Sequence, residues 1–503
     1  MNLLIVIAFA TSAIFAVSAV EYQKLGSTPW EERPIEPMNQ FYEGIFRARL
    51  DHFRPQNQER VEFIYHVNAN FYNPEGGPLY IYLKDYRDYT TRWIEDGLMV
   101  DIAEETGAAV LTFDHRYFGA NRPTDTASFE DLEFLSVEQI LADVADFTRF
   151  VRQYIGNGRY TPVILWGSGF GGVLSVWARS RYPHLVDGAW SSSGHVQPEL
   201  ASFGPYDIFE YTFIIPDDDG YCRALIKNAY DIIAYLVING EGEYLSERMN
   251  LCTPVATDNE ADVASLYENT IRAVLSYINE YHFTGVRAFC NDMAAIPGDP
   301  LNSFARWVRY VYGDQECFDH SYDTMIENTS NTTWGSFGTT EGRRQWYYLQ
   351  CTQIGAFLLA DNNTWLPGTV SLDYHLEKCA DVFGVEFQYD TLSGAFNTLI
   401  QEYNQAISNV VYTNGFFDPF RYFGRLYDTS GLGTVVNMDF AAMSADLTSL
   451  SPNDPISIFE GKERVRELVE RWSDMNPPPP PPTGTLPPPT GTTLPPPTSP
   501  ADV

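Results

Sequence analysis

An apolar run, Pro162-Val163-Ile164-Leu165, passes without a spacer into Trp166-Gly167-Ser168-Gly169-Phe170-Gly171-Gly172 and then into a helical pattern. No other stretch restricts the fold as strongly. A buried strand that turns at once into a helix needs glycine wherever backbone must approach backbone, and such a turn belongs to a strand–helix–strand unit. The neighbouring sequence repeats the alternation. Residues 78–83, Pro78-Leu79-Tyr80-Ile81-Tyr82-Leu83, and 108–113, Ala108-Ala109-Val110-Leu111-Thr112-Phe113, read as buried strands. Ser136-Val137-Glu138-Gln139 reads as a capping box that opens a helix burying Ile140, Val144, Phe147 and Val151. A helix from Val173 to before Pro183 and a strand at Val186–Trp190 complete the block. Strands alternating with helices imply a parallel sheet with right-handed crossovers.

After Pro198 the alternation gives way to helical patterns such as Ala224–Val237 and Ala264–Tyr281. Strand signals return at Asn409–Tyr412 and Thr434–Met438, followed by a helix over Glu460–Trp472. The expected architecture is therefore an α/β sheet domain in two parts, residues 20–197 and 401–475, interrupted by a helical cap insertion at 198–400. Residues 476–503, rich in proline and threonine, cannot bury a core and are expected to form an extended tail.

The strand-to-helix turn of α/β-hydrolases reads Gly-x-Ser-x-Gly, with the serine as nucleophile and the triad in the chain order Ser, Asp or Glu, His. Here the glycines at the right separation are Gly167 and Gly171, and the residue between them is Gly169. An acid is present: Asp418 follows the returning strand in Asn414-Gly415-Phe416-Phe417-Asp418-Pro419. A base is not. The eight histidines all precede Asp418, the last being His375, and the segment after the final strand, Ala441-Ala442-Met443-Ser444-Ala445-Asp446-Leu447, has no imidazole. Methionine cannot carry a proton, so no general base acts from there.

Residues 1–19 combine an apolar run with a small-residue Val17-Ser18-Ala19 ending and read as a signal peptide, which places the chain outside the cell or in a lysosome-like compartment. No later segment has the length of apolar sequence that a membrane span needs. The net charge of −34 argues against nucleic acid as a partner. Asp217-Asp218-Asp219 lacks the alternation of a calcium loop and reads as a solvated turn. Six cysteines, Cys222, Cys252, Cys290, Cys317, Cys351 and Cys379, fit three disulfides in an oxidising compartment, with fifteen connectivities open. Three sequons, at Asn328, Asn331 and Asn362, share that middle region as glycosylation candidates. Neither a metal site nor a cofactor is expected.

Several motifs together resemble the serine peptidases typified by prolylcarboxypeptidase and dipeptidyl peptidase II. The resemblance spans about residues 45 to 472. It rests on Asp51-His52-Phe53, on Asp114-His115-Arg116-Tyr117-Phe118-Gly119 through Pro123, on Leu135 through Asp143, and on Gly167 through Gly172 with Trp177, Arg179 and Tyr182-Pro183-His184. Gln350-Cys351-Thr352-Gln353 and Asn414-Gly415-x-x-Asp418-Pro419-Phe420 extend it. The resemblance implies an α/β-hydrolase fold with a large disulfide-stapled helical cap, and the pairs Cys222–Cys290, Cys252–Cys317 and Cys351–Cys379. It places the family's serine at Gly169, its aspartate at Asp418 and its histidine at Met443. Phe170 would supply an oxyanion backbone N–H, while bulky Leu83 and charged Lys84, in a family Gly-Gly-Glu, would disturb the backbone approach there. Gln353 stands where the family has a glutamate.

The expectation is a non-catalytic homologue of Pro-specific exopeptidases that binds a peptide or protein. Two alternatives are an active peptidase using a displaced nucleophile, Ser168 or Ser191–Ser193 with His195, and a surface glycoprotein built around its tail. Because relatives of this fold often dimerise, a homodimer is a further expectation.

Overall fold

Strands β3 (Leu79–Leu83) and β4 (Ala109–Phe113) are buried at every position, as strands covered by helices on both faces must be. They sit inside an eight-stranded sheet of order β1-β2-β4-β3-β5-β6-β9-β10 in a computed structural model of the chain. The structure describes residues 41–475 except 157–159, 214–219, 313–314, 361–369, 404–406 and 429–432. The signal segment, Asp217–Asp219, Asn362 and the tail fall outside the described residues.

The other strands of this sheet are β1 (Phe41–Arg49), β2 (Arg60–Asn68), β5 (Val163–Ser168), β6 (Gly188–Ser192), β9 (Val410–Gly415) and β10 (Thr434–Met438). From β4 to β10 the pairs are parallel, whereas β1 with β2 and β2 with β4 are antiparallel. Strands β7 (Ala201–Ser202) and β8 (Phe357–Leu358) form a separate two-stranded pair. The fold is an α/β-hydrolase fold, with both antiparallel strands added at one edge. Several boundaries differ from the sequence patterns, among them the helix read as Ala264–Tyr281, which spans Glu260–Ala294, and that read as Glu460–Trp472, which spans Ile456–Ser473; two others lie at or near the turn. The helix after β5 begins at Phe170 rather than Val173, because the chain reverses within one residue at Gly169. Strand β6 starts at Gly188, since Leu185 and Val186 are held in a turn on the Tyr182 carbonyl.

Between β6 and β9 most of the described residues are helical, including Tyr221–Ile238, Glu260–Ala294, Pro300–Tyr312, Arg343–Leu349 and Leu372–Phe383. These helices bury their own core, with Ile226, Ile233, Tyr267, Phe304 and Trp307 among its fully enclosed side chains. The cysteines pair as Cys222–Cys290, Cys252–Cys317 and Cys351–Cys379. Among the described residues no helix is long and apolar enough to cross a membrane.

Within the sheet domain, three of the sequence motifs converge on one buried node. Arg116 is fully enclosed and forks onto Asp143, its Nε 2.7 Å from Oδ2 and its Nη2 2.8 Å from Oδ1. Its Nη1 donates to the carbonyls of Leu50 and Phe134, 2.9 Å each. Asp143 also takes His52 Nε2 at 2.7 Å, and Asp51 accepts from Gln139 Nε2 at 2.8 Å. Ser136 caps the helix Val137–Tyr154 as expected, accepting from Gln139 N, but the reciprocal arm of the box is absent. Gln139 uses its side chain on Asp51 and on the His52 N–H instead. Removing one member of a fully buried ion pair leaves the other charge desolvated. Arg116→Met should therefore cost about 3–5 kcal/mol in chemical denaturation, and Arg116→Met with Asp143→Leu should recover a large part of it. A single variant as stable as the parent would contradict this role.

Candidate functional site

The ends of β3 and β5 lie side by side, with Leu83 opposite Gly167. The Leu83 carbonyl packs so closely on Gly167 and Gly171 that a Cβ on either would collide with it. The glycines thus allow the close approach of β3 to the turn at this point. Lys84 turns away and pairs with Asp114 at 2.7 Å. Gly169 adopts φ +53°, ψ −120°, a conformation costly for any residue with a side chain. A Cβ built on Gly169 would lie 2.8 Å from Met443 Cε and 3.0 Å from Asp85 Oδ1. Two of the positions singled out in the sequence, Gly169 and Met443, therefore face each other across the turn.

Asp85 is the residue the sequence reading did not assign a role. Its Oδ1 accepts from the Phe170 N–H at 3.0 Å, the donor expected to face an oxyanion. Burial pushes its carboxyl up to about 6, while the Phe170 and Tyr86 N–H groups act in the opposite direction. A carboxylate thus occupies the N–H that the family resemblance assigns to an oxyanion.

Asp418 is wholly buried just beyond β9, with Oδ1 accepting from the Phe420 N–H at 3.0 Å. Burial lifts its carboxyl to about 7, against the Phe420 N–H, the Ser193 hydroxyl and Arg421. No imidazole contacts it among the described residues; Oδ2 has no partner in hydrogen-bond geometry. The turn carrying it is tied to the Met443 segment through Phe417 N to Ala441 O, 2.7 Å. Asp446, three residues after Met443, anchors that segment by accepting from the Ser192 hydroxyl at 2.6 Å and from Thr413 Oγ1.

The structure does not assemble a serine–histidine pair from the alternative residues. Ser168 shares a hydrogen bond with Ser444, and Ser193 Oγ accepts from Ser444 N at 3.0 Å. His195 stacks on Phe420 with ring centroids 4.9 Å apart, and burial pushes its imidazole down to about 4. Gln353 lies outside the cleft: its Oε1 accepts from Val137 N at 3.0 Å, at the start of the helix Val137–Tyr154.

A cavity of about 550 Å³ opens beside the turn. Asp85, Phe170 and Met443 form one end, and Tyr86, Trp346 and Phe357 line its walls. Tyr86 stacks on Trp346 at 4.4 Å, and Phe170 meets Trp346 edge-on at 5.4 Å. The cap-side wall is charged, with Glu268 and Arg272 from one helix, Lys378 from another and Arg343 from a third. Sequence reasoning missed this wall. Its one signal was the i, i+4 pair Glu268 and Arg272, which alone resembles any solvated helix face. The Cys351–Cys379 disulfide pins Lys378 beside it.

The sequence model of the serine carboxypeptidase S28 family matches residues 48–465. A lysosomal Pro-X carboxypeptidase of Bos taurus is 25% identical, covering 93% of this chain and 96% of the relative. The human lysosomal Pro-X carboxypeptidase is 23% identical, covering 85% and 87%. A prolyl carboxy peptidase like protein of Caenorhabditis elegans is 24% identical, covering 86% and 90%.

Two predictions follow from this geometry. Gly169→Ser with Met443→His should react poorly with a fluorophosphonate probe, because Asp85 still holds the Phe170 N–H. Adding Asp85→Gly should raise the labelling rate on the order of a hundredfold; equal labelling of double and triple variants would contradict the blocking role of Asp85. The second concerns Asp418. Its folded-state pKa lies above the ordinary 3.8, so the folded chain holds an extra proton between about pH 4 and about 7. Its contribution to stability therefore falls as pH rises through that window. Asp418→Asn should leave stability unchanged near pH 4 and raise it by on the order of 3 kcal/mol at pH 7. Thermal melting of variant against parent checks this, since His195 and His375, which shift the opposite way, cancel in the difference.

Proposed function

The chain belongs to the serine carboxypeptidase S28 family, and from that premise we propose that it is a non-catalytic member whose cleft binds a peptide. The observation that carries the reading is the facing pair Gly169 and Met443, with Asp85 on the Phe170 N–H between them. Acyl transfer by a serine peptidase needs a hydroxyl at the turn, an imidazole to take its proton and free donors for the oxyanion. At this turn stand a hydrogen, a thioether and a donor already engaged by a carboxylate. Asp418 remains as an acid with no imidazole to orient.

Binding does not depend on those groups. The cavity is lined by Tyr86, Phe170, Trp346 and Phe357, aromatic surface suited to apolar and proline-containing side chains. The named relatives are Pro-X carboxypeptidases. We place the protein in the secretory route or a lysosome-like compartment, in keeping with three disulfides, and assign residues 198–400 as the cap and Asn328 and Asn331 as glycan sites.

Calorimetry with short proline-containing peptides, followed by mass spectrometry of the same samples, tests the proposal. The expected result is saturable binding with the peptides recovered intact after prolonged incubation. Release of a C-terminal residue, abolished by a single serine substitution in the protein, would overturn it.

A further inference from the structure

The cap-side wall of the cavity runs against the charge of the chain. The whole chain carries a net charge of −34, yet four cations, Arg87, Arg272, Arg343 and Lys378, line this cavity against two carboxylates, Asp85 and Glu268. Asp85 is held at the elbow end by Phe170 N. Glu268 serves the whole cap side. It receives Lys378 Nζ at 2.9 and 3.2 Å, Arg272 Nη2 at 3.0 Å and the Tyr374 hydroxyl at 2.8 Å. Burial works against its charge, but Lys378 and Arg272 together hold its carboxyl well below the usual range.

The other two guanidiniums are less fully paired. The Nε of Arg343 is buried with no hydrogen-bond partner, and its guanidinium lies 5.0 Å over the Phe337 ring. Arg87 reaches Glu341 only at 3.7 Å. Burial pushes the Arg343 pKa below its ordinary value, and the charges of Arg272 and Arg87 push it the same way, against the opposing pull of Tyr347 and Glu341. Like charges gathered in a concave, partly desolvated site raise the local concentration of anions and are stabilised by an anion that enters. A guanidinium fork matches the oxygens of phosphate, sulfate or carboxylate, and several forks around one space favour a group with several charged oxygens. The adjoining surface is aromatic, formed by Trp346, Tyr86 and Phe170.

Resting on the reading that the cleft binds peptide, we infer that Arg87, Arg272 and Arg343 form an anion subsite that takes an aromatic oxyanion ester, such as a phosphorylated or sulfated tyrosine side chain. The ring lies against the aromatic wall and the ester oxygens meet the guanidiniums. Glu268, saturated by Lys378, Arg272 and Tyr374, keeps Arg272 in place without competing for the ligand.

Calorimetry on the full chain tests this with one tyrosine-containing hexapeptide in phosphorylated, sulfated and unmodified forms, and with inorganic phosphate alone. At least one modified peptide should bind on the order of tenfold or more tightly than the unmodified one. Arg343→Gln and the surface variant Arg87→Gln should each reduce that preference, and added salt should weaken it. Modified and unmodified peptides binding equally would overturn the subsite while leaving the peptide-binding reading intact. Failure of every peptide, with phosphate also inert, would overturn both. Inorganic phosphate binding as tightly as the phosphopeptide would overturn the aromatic ester in favour of a free anion. Unchanged preference in Arg87→Gln and in a folded Arg343→Gln would overturn the assignment of these arginines.

Discussion

The Arg116–Asp143 pair is the interaction on which the rest of the sheet domain depends. It joins the carbonyls of Arg49 and Leu50 at the end of β1, the loop after β4 and the helix Val137–Tyr154 at one dry point. Such a pair contributes little net stability over apolar packing, but it cannot be half removed. Asp51, His52 and Gln139 are hydrogen-bonded into the same node. Three of the motifs by which the chain resembles its family therefore meet at a structural junction that contains neither Gly169 nor Met443. Their contacts are those of a buried packing node and involve no residue of the turn itself.

The turn at Gly169 is likewise shaped by contacts that need no side chain at position 169. The close approach of the Leu83 carbonyl to Gly167 and Gly171 fixes the turn, and Gly169 sits in its left-handed conformation without a Cβ to strain. Ser192, Thr413 and Asp446 lock the segment that carries Met443. None of these contacts requires a hydroxyl at 169 or an imidazole at 443. What the chain has in their place is a cleft with aromatic walls, an internal carboxylate on the elbow N–H, and a cationic wall in an otherwise acidic molecule.

Much of this was legible in the sequence. Buried strands such as β3 and β4 read as continuous apolar runs, and β10 lies where its pattern placed it. The absent serine and histidine needed only the glycine spacing and an inventory of histidines. Strands β1 and β2 are harder to read although Val61, Phe63, Tyr65 and Val67 alternate inward along β2, because a strand with one exposed face gives a weaker signal than one buried on both. The Gln139 arm of the capping box failed because tertiary partners, Asp51 and His52, outcompeted the local one. The role of Asp85 could not be read, since its partner Phe170 is 85 residues away and is brought to it only by the pairing of β3 with β5. The cationic wall was hidden for the same reason: Arg87, Arg272, Arg343 and Lys378 come from four separate segments.

The central claim is that this hydrolase scaffold performs no serine-based acyl transfer. The most direct test is fluorophosphonate labelling of the unaltered, folded protein, followed by mass-spectrometric mapping of any adduct. The account predicts no adduct at Ser168, Ser191, Ser192, Ser193 or Ser444 under conditions that saturate an active relative. Stoichiometric modification of any one of these serines, lost on unfolding, would contradict it.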